Sequence, residues 1–147
     1  MPKCHEVMTK DPVCCEPGDP VTRAAEMMRS HDVGSLPVVE TFDSRRVIGI
    51  VTDRDVVTKV VASNRNVSSA TVNDAMTKNP AVCREDDDLE RAMSLMADHQ
   101  VRRMPVVDAS GRLSGIIAQA DVATRGHREE RTGELVEAIS EPSKARR

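Results

Sequence analysis

Displaced by 68 positions, the chain matches itself, and this constrains the fold more than any other feature of the sequence. The stretch VMTKDPVCCEPGDPVTRAAEMMRSHDVGSLPVVE from Val7 lies over AMTKNPAVCREDDDLERAMSLMADHQVRRMPVVD from Ala75. Shared residues include Met8/Met76, Thr9/Thr77, Lys10/Lys78, Pro12/Pro80, Cys15/Cys83, Asp19/Asp87, Ala24/Ala92, Met28/Met96, His31/His99 and Val33/Val101. Pro37-Val38-Val39 lies over Pro105-Val106-Val107, and after a shorter turn Gly49 aligns with Gly115 and Asp55 with Asp121. Colinear matching of this length is a tandem duplication.

Each copy has the same local grammar. A polar turn ends at Met-Thr-Lys, and a short strand follows at Val13-Cys14-Cys15 or Ala81-Val82-Cys83. Apolar residues at Val21, Ala24, Ala25 and Met28, and at Leu89, Ala92, Met93 and Met96, have the spacing of one helix face. Asp19 with Pro20 at the first helical position marks one helix start, and Asp87 with Glu90 is a candidate capping box for the other. His31 and His99 fall at the matching helix ends, where the dipole favours a positive charge. Strands are expected at Leu36–Val39 and Val47–Val51, and at Met104–Val107 and Leu113–Ile117, with Gly111 in the second hairpin turn. A second helix then closes each copy, the first carrying Val56, Val57, Val60 and Val61. The segment from Ser63 to Thr71 has loop composition, with Thr71 and Asp74 placed to form a capping box.

The fold class expected is therefore α/β (α+β): two tandem β-α-β-β-α repeats. One copy alone leaves apolar faces uncovered, so the two should pack about a pseudo-two-fold axis. The boundaries expected are 1–66 and 67–130 for the repeats. Residues 131–147 then hold a final helix striped by Leu135, Val136 and Ile139, and a basic end.

Composition removes several function classes. A formal net charge of −3 provides no broad attraction for nucleic acid, and one aromatic residue, Phe42, provides no stacking platform. Nucleic acid is not an expected partner, its support being confined to Lys144-Ala145-Arg146-Arg147. No run of 18 apolar residues and no apolar signal core occur, so no membrane association and a cytoplasmic address are expected. Cys4, Cys14, Cys15 and Cys83 form no CxxC and read as small apolar fillers or free thiols rather than disulfides or metal ligands. Cys4-His5 has no matching ligand pair elsewhere, so no metal is expected. The absence of a Walker loop, GxGxxG, GxSxG and HExxH argues against an enzyme and leaves no catalytic residue to name.

The junction Gly49-Ile50-Val51-Thr52-Asp53-Arg54-Asp55 runs a buried strand into a helix. Thr52 and Asp55 have capping-box spacing. An ionised carboxylate there is also an acceptor for both hydroxyls of a ribose, and the adjacent helix start offers donors to phosphate.

The duplicated LPVV and MPVV strands, with GIVTDRD and GIIAQAD at matching distances, resemble a tandem pair of CBS domains, often called a Bateman module. The resemblance spans about Val7 to Thr124 and extends to small stand-alone bacterial CBS-pair proteins, including the hypoxic-response type. It implies a regulatory module that binds an adenosine-containing nucleotide in the cleft between repeats and signals through a homodimer. AMP, ADP, ATP or S-adenosylmethionine would be regulatory ligands, and no cofactor is required. Thr52 and Asp55 would hold ribose and phosphate oxygens. Val13, Cys14, Leu36 and Pro37 would line an aliphatic adenine slot, and Arg102 and Arg103 match phosphate-contacting positions.

The two copies differ where binding is expected. Gly34 and Ser35 stand in place of Arg102 and Arg103, and Ala118 replaces the Thr while Asp121 remains. One competent site on Asp55 and a weaker or empty one on Asp121 are expected. The alternative is a ligand-independent interaction module whose surface docks on a partner enzyme or transporter of unknown identity.

Overall fold

The computed structural model describes residues 2–125. The expected terminal helix at Leu135, Val136 and Ile139 and the basic end lie outside the described residues. Helices and short strands alternate in the chain, which divides into two compact units. One unit holds the residues up to Pro12 together with Ala81 onward, and the other is Val13–Pro80. Each unit therefore joins the body of one repeat to the segment that opens the other.

In the Val13–Pro80 unit, helix α2 (Val21–His31) leads into strand β2 (Ser35–Val39), which pairs antiparallel with β3 (Val47–Thr52). A short helix α4 (Val72–Ala75) then brings β4 (Thr77–Lys78) antiparallel onto β3, giving the order β2-β3-β4. The strand expected around Cys15 is a single parallel bridge to Val38. The other unit repeats this plan with α1 (Cys4–Val7) and β1 (Thr9–Lys10) as the opening segment. Its body is β5 (Cys83–Arg84), α5 (Leu89–His99), β6 (Arg103–Val107), β7 (Leu113–Ala118) and α6 (Gln119–Arg125), with sheet order β1-β7-β6-β5.

The opening segments are anchored alike. Cys4 N–H donates to Asp87 O at 2.9 Å, and Val72 N–H to Asp19 O at 2.8 Å. Leu89 N–H donates to Pro2 O and Val21 N–H to Ala70 O, both at 2.9 Å. These last bonds explain a correction to the expected caps. The first N–H of α2 and of α5 is satisfied by main chain of the opening segment, so neither helix needs a side-chain cap. Pro20 and Asp88 stand at the N-cap positions without a side-chain capping bond. Asp19 and Asp87 close the preceding turn instead, accepting from Glu16 N–H and Arg84 N–H, each at 2.9 Å. The box at Thr71 and Asp74 does form, with Thr71 N–H donating to Asp74 Oδ2 at 2.9 Å. That bond holds the Asp74 carboxyl below its ordinary pKa.

Each unit has its own core. Val21, Ala24 and Met28 of α2 pack with Leu36, Val38, Val51, Val60 and Val72. Ala25, expected in this stripe, is exposed because the buried arc turns toward Met27, which packs partly buried on the cluster. In α5 all four expected positions, Leu89, Ala92, Met93 and Met96, are buried. No described helix is long and apolar enough to cross a membrane.

One element departs from the expected α-helix. After the turn α3 (Asp53–Asp55), the chain winds as a π-helix over Val56–Val61. Ala62 N–H donates to Val57 O at 2.8 Å, five residues back. The wider winding spreads the valines: Val60 is buried, whereas Val57 and Val61 are exposed.

Candidate functional site

The β3–α3 junction is shaped by two reciprocal bonds. Asp55 N–H donates to Thr52 Oγ1 and Thr52 N–H to Asp55 Oδ2, both at 3.0 Å. Such a cap stabilises by about 1 kcal/mol. The second carboxylate oxygen, Oδ1, lies 3.2 Å from Lys59 Nζ, one turn on. The Asp55 side chain is mostly buried and the lysine is solvent-exposed. An ion pair of that kind is worth at most about 1 kcal/mol, so Oδ1 is the oxygen a ligand hydroxyl can take without undoing the cap. Thr52 Oγ1 uses a lone pair for Asp55 N–H and keeps its own hydrogen for a further acceptor.

Strand register adds a residue. Ser35 lies opposite Thr52, and Leu36 opposite Val51. Leu36 and Val51 enter the core, so the alternation of strand side chains puts Ser35 and Thr52 together on the other face. Ser35 is 8% exposed and its Oγ has no hydrogen-bond partner. A buried hydroxyl without a partner costs about 1–3 kcal/mol, and a ligand oxygen here would relieve that cost.

The expected adenine-slot residues are in this same unit. Cys15 N–H donates to Pro37 O at 3.1 Å and Val39 N–H to Cys15 O at 2.9 Å, which ties the Val13–Cys15 segment to β2. Val13 is half-buried and Cys14 is buried. Burial pushes the Cys14 thiol up, with the Arg45 guanidinium acting against it, and pushes Cys15 up to about 12. Leu36 is fully buried in the core, and Pro37 follows on the face shared with Ser35.

Arg102, Arg103 and Asp121 belong to the other unit. Arg102 is exposed, and its carbonyl accepts Gln119 N–H at 2.9 Å. Arg103 opens β6 opposite Ala118. Neither arginine is in an ion pair among the described residues. Asp121 Oδ2 accepts Ala118 N–H at 2.9 Å, but Ala118 has no hydroxyl to return the bond. The second junction thus keeps one leg of a two-legged cap. Among the described residues no group of three or more His, Cys, Asp or Glu side chains is placed to hold a metal ion.

The model of the CBS domain matches residues 4–62 and 72–127. The chain belongs to the CBS-domain family. The uncharacterized protein YlbB of Bacillus subtilis is 38% identical over 141 residues, 96% of this chain and 93% of its own length. Hypoxic response protein 1 of Mycobacterium tuberculosis is 32% identical over 97% of this chain and 96% of its own. The crystal structure of Hypoxic Response Protein I with two coordinated zinc ions superposes with a TM-score of 0.76 at 31% identity, covering 84% of this chain and 98% of that one. That of CBSX2 in complex with AMP superposes with a TM-score of 0.72 at 28% identity, covering 87% and 98%.

Two residues of the junction escaped the sequence reading. Lys59 was readable as an i, i+4 partner of Asp55. Ser35 was legible as the repeat counterpart of Arg103, but its place beside Thr52 depends on the strand register.

Proposed function

We propose that this CBS pair is a regulatory protein that binds an adenosine-containing nucleotide at the Thr52–Asp55 junction and passes the signal on through a homodimer. The observation that carries the proposal is the orphaned hydroxyl of Ser35, which lies opposite Thr52, the partner of a capping carboxylate whose second oxygen is held only by an exposed lysine. Asp55 Oδ1 would accept ribose hydroxyls, while Thr52 and Ser35 would donate to ligand oxygens. Val13, Cys14 and Pro37 are assigned to the adenine side, with Leu36 backing them from the core. The AMP complex of CBSX2 supports this ligand class. Arg102 and Arg103 enter as phosphate ligands through the family resemblance alone. Asp121, lacking a hydroxyl partner at Ala118, would form the weaker site.

Thermal denaturation with AMP, ADP, ATP and S-adenosylmethionine tests this reading. A ligand at about 100 times its dissociation constant stabilises by about 2.7 kcal/mol, which corresponds to a melting shift of roughly 5–10 °C. The shift should vanish in Asp55→Ala, and no shift with any of the four at millimolar concentration would overturn the proposal. The second reading, a ligand-independent docking module, is favoured by the one-legged Ala118–Asp121 junction. It would be supported by partner capture that is unchanged in Thr52→Ala and Asp55→Ala.

A further inference from the structure

Strand β6 has two ends, and the Ala118–Asp121 junction lies at only one of them. Arg103 at its start is opposite Ala118, whereas Val107 at its end is paired with Arg84 of β5. The intervening length of strand separates the two ends by about 13 Å. At the Val107 end a cavity of about 500 Å³ is lined by residues of this one unit. That volume is within the roughly 300–1,000 Å³ of small-molecule sites. Val82 and Val107 supply apolar lining, while Arg84, Arg91, Asp87 and Asp108 supply charge of both signs.

The matching residues of the other repeat are used differently. Arg84 and Glu16 make the same backbone bond, each N–H donating at 2.9 Å to the aspartate that closes its turn. Their side chains diverge. Glu16 Oε2 accepts Phe42 N–H at 2.8 Å and ties down a hairpin whose closing bond joins Glu40 to Arg46. In the second repeat the corresponding bond joins Asp108 to Arg112 across a shorter turn, and Arg84 carries the opposite charge. Its guanidinium is in no ion pair among the described residues. Arg91 is held loosely, Nε lying 3.8 Å from Asp87 Oδ2. Asp108 uses one oxygen for its turn. Oδ1 accepts Ser110 N–H at 2.9 Å, the Ser110 hydroxyl at 2.8 Å and Arg112 N–H at 3.0 Å. Oδ2 has no hydrogen bond among the described residues. The bonds from Arg112 and Ser110 hold this carboxyl below its ordinary pKa, so it is anionic at neutral pH.

Two arginines and two aspartates cancel in formal charge, so a ligand of one sign would meet a like charge as well as an opposite one. A zwitterion with an apolar branch is matched by all three parts of the lining. We propose that this cavity binds a free α-amino acid with an aliphatic side chain. Its carboxylate pairs with the forked donors of Arg84, with Arg91 as the second guanidinium. Its ammonium donates to Asp108 Oδ2, and its side chain lies on Val82 and Val107. The Thr52–Asp55 junction belongs to the other unit, and this site is independent of nucleotide binding there.

Titration of the isotope-labelled full chain with L-leucine, N-acetyl-L-leucine and L-leucinamide, followed by NMR, tests the assignment. Leucine should shift the amides of Arg84, Val107 and Asp108 saturably, with a dissociation constant of about 1 mM or tighter. Each blocked form lacks one charge and should bind at least about tenfold more weakly. Arg84→Glu installs the charge of the other repeat at an exposed position, so the leucine shifts should disappear while the rest of the spectrum is kept. The comparison of ligands on the wild type stands whether or not that variant folds. The proposal is overturned if leucine at about 10 mM moves none of these amides, if either blocked form binds as tightly as leucine, or if the shifts persist in a folded Arg84→Glu.

Discussion

Gly115→Val should destabilise the protein by about 3 kcal/mol, lowering its melting temperature by roughly 10 °C. A Cβ at Gly115 would sit 2.5 Å from Met8 Sδ and 2.7 Å from the Thr9 carbonyl oxygen. The methionine tip can move. The carbonyl cannot, because β1 is held on β7 with Thr9 opposite Ile116 and Lys10 opposite Gly115. The added side chain must therefore push the opening segment off its sheet. Gly49 occupies the same place in the other unit, with Thr77 O at 2.9 Å and Met76 Sδ at 3.0 Å from its would-be Cβ. Thermal denaturation and hydrogen exchange at β1 measure the effect. An unchanged melting temperature with β1 still protected would show that the opening segment does not pack over this glycine.

Met96→Ala is the second large effect. Met96 is fully buried in α5, within the cluster that includes Leu89, Met93, Met104 and Ile117. Truncating a buried methionine costs about 2–5 kcal/mol, the cavity term depending on how far the surroundings relax. Denaturant unfolding should show a lower midpoint with an unchanged slope. A loss below about 1 kcal/mol would mean that the cluster refills the space.

Much of this fold was legible because both copies repeat one hydrophobic grammar. The helices over Val21–His31 and Leu89–His99 and the four longer strands follow from spacing alone. The exchange of opening segments was not legible. Thr9-Lys10 reads as a local strand, and only tertiary pairing decides that its partner is β7. The misplaced caps have the same origin: Asp19 and Asp87 have cap-like positions, but main chain from the exchanged segment already satisfies the helix starts. The π-helix was hidden because Val56, Val57, Val60 and Val61 fit an α-helical stripe, while backbone bonds set the winding. At the site, the Thr52–Asp55 box was readable from spacing, as was its one-legged echo at Ala118 and Asp121. The pairing of Ser35 with Thr52 and its unpartnered hydroxyl became visible only with register and burial.

The central claim is asymmetry between the two junctions, and calorimetric titration of the whole chain with AMP tests it most directly. One nucleotide per chain is predicted at the stronger site. Asp55→Asn keeps a carbonyl oxygen for the cap but loses the charge, and should weaken binding at least about tenfold, or roughly 1.4 kcal/mol. Asp121→Asn should leave that site unchanged. Two equal sites per chain, or equal affinity in Asp55→Asn and the wild type, would contradict the account.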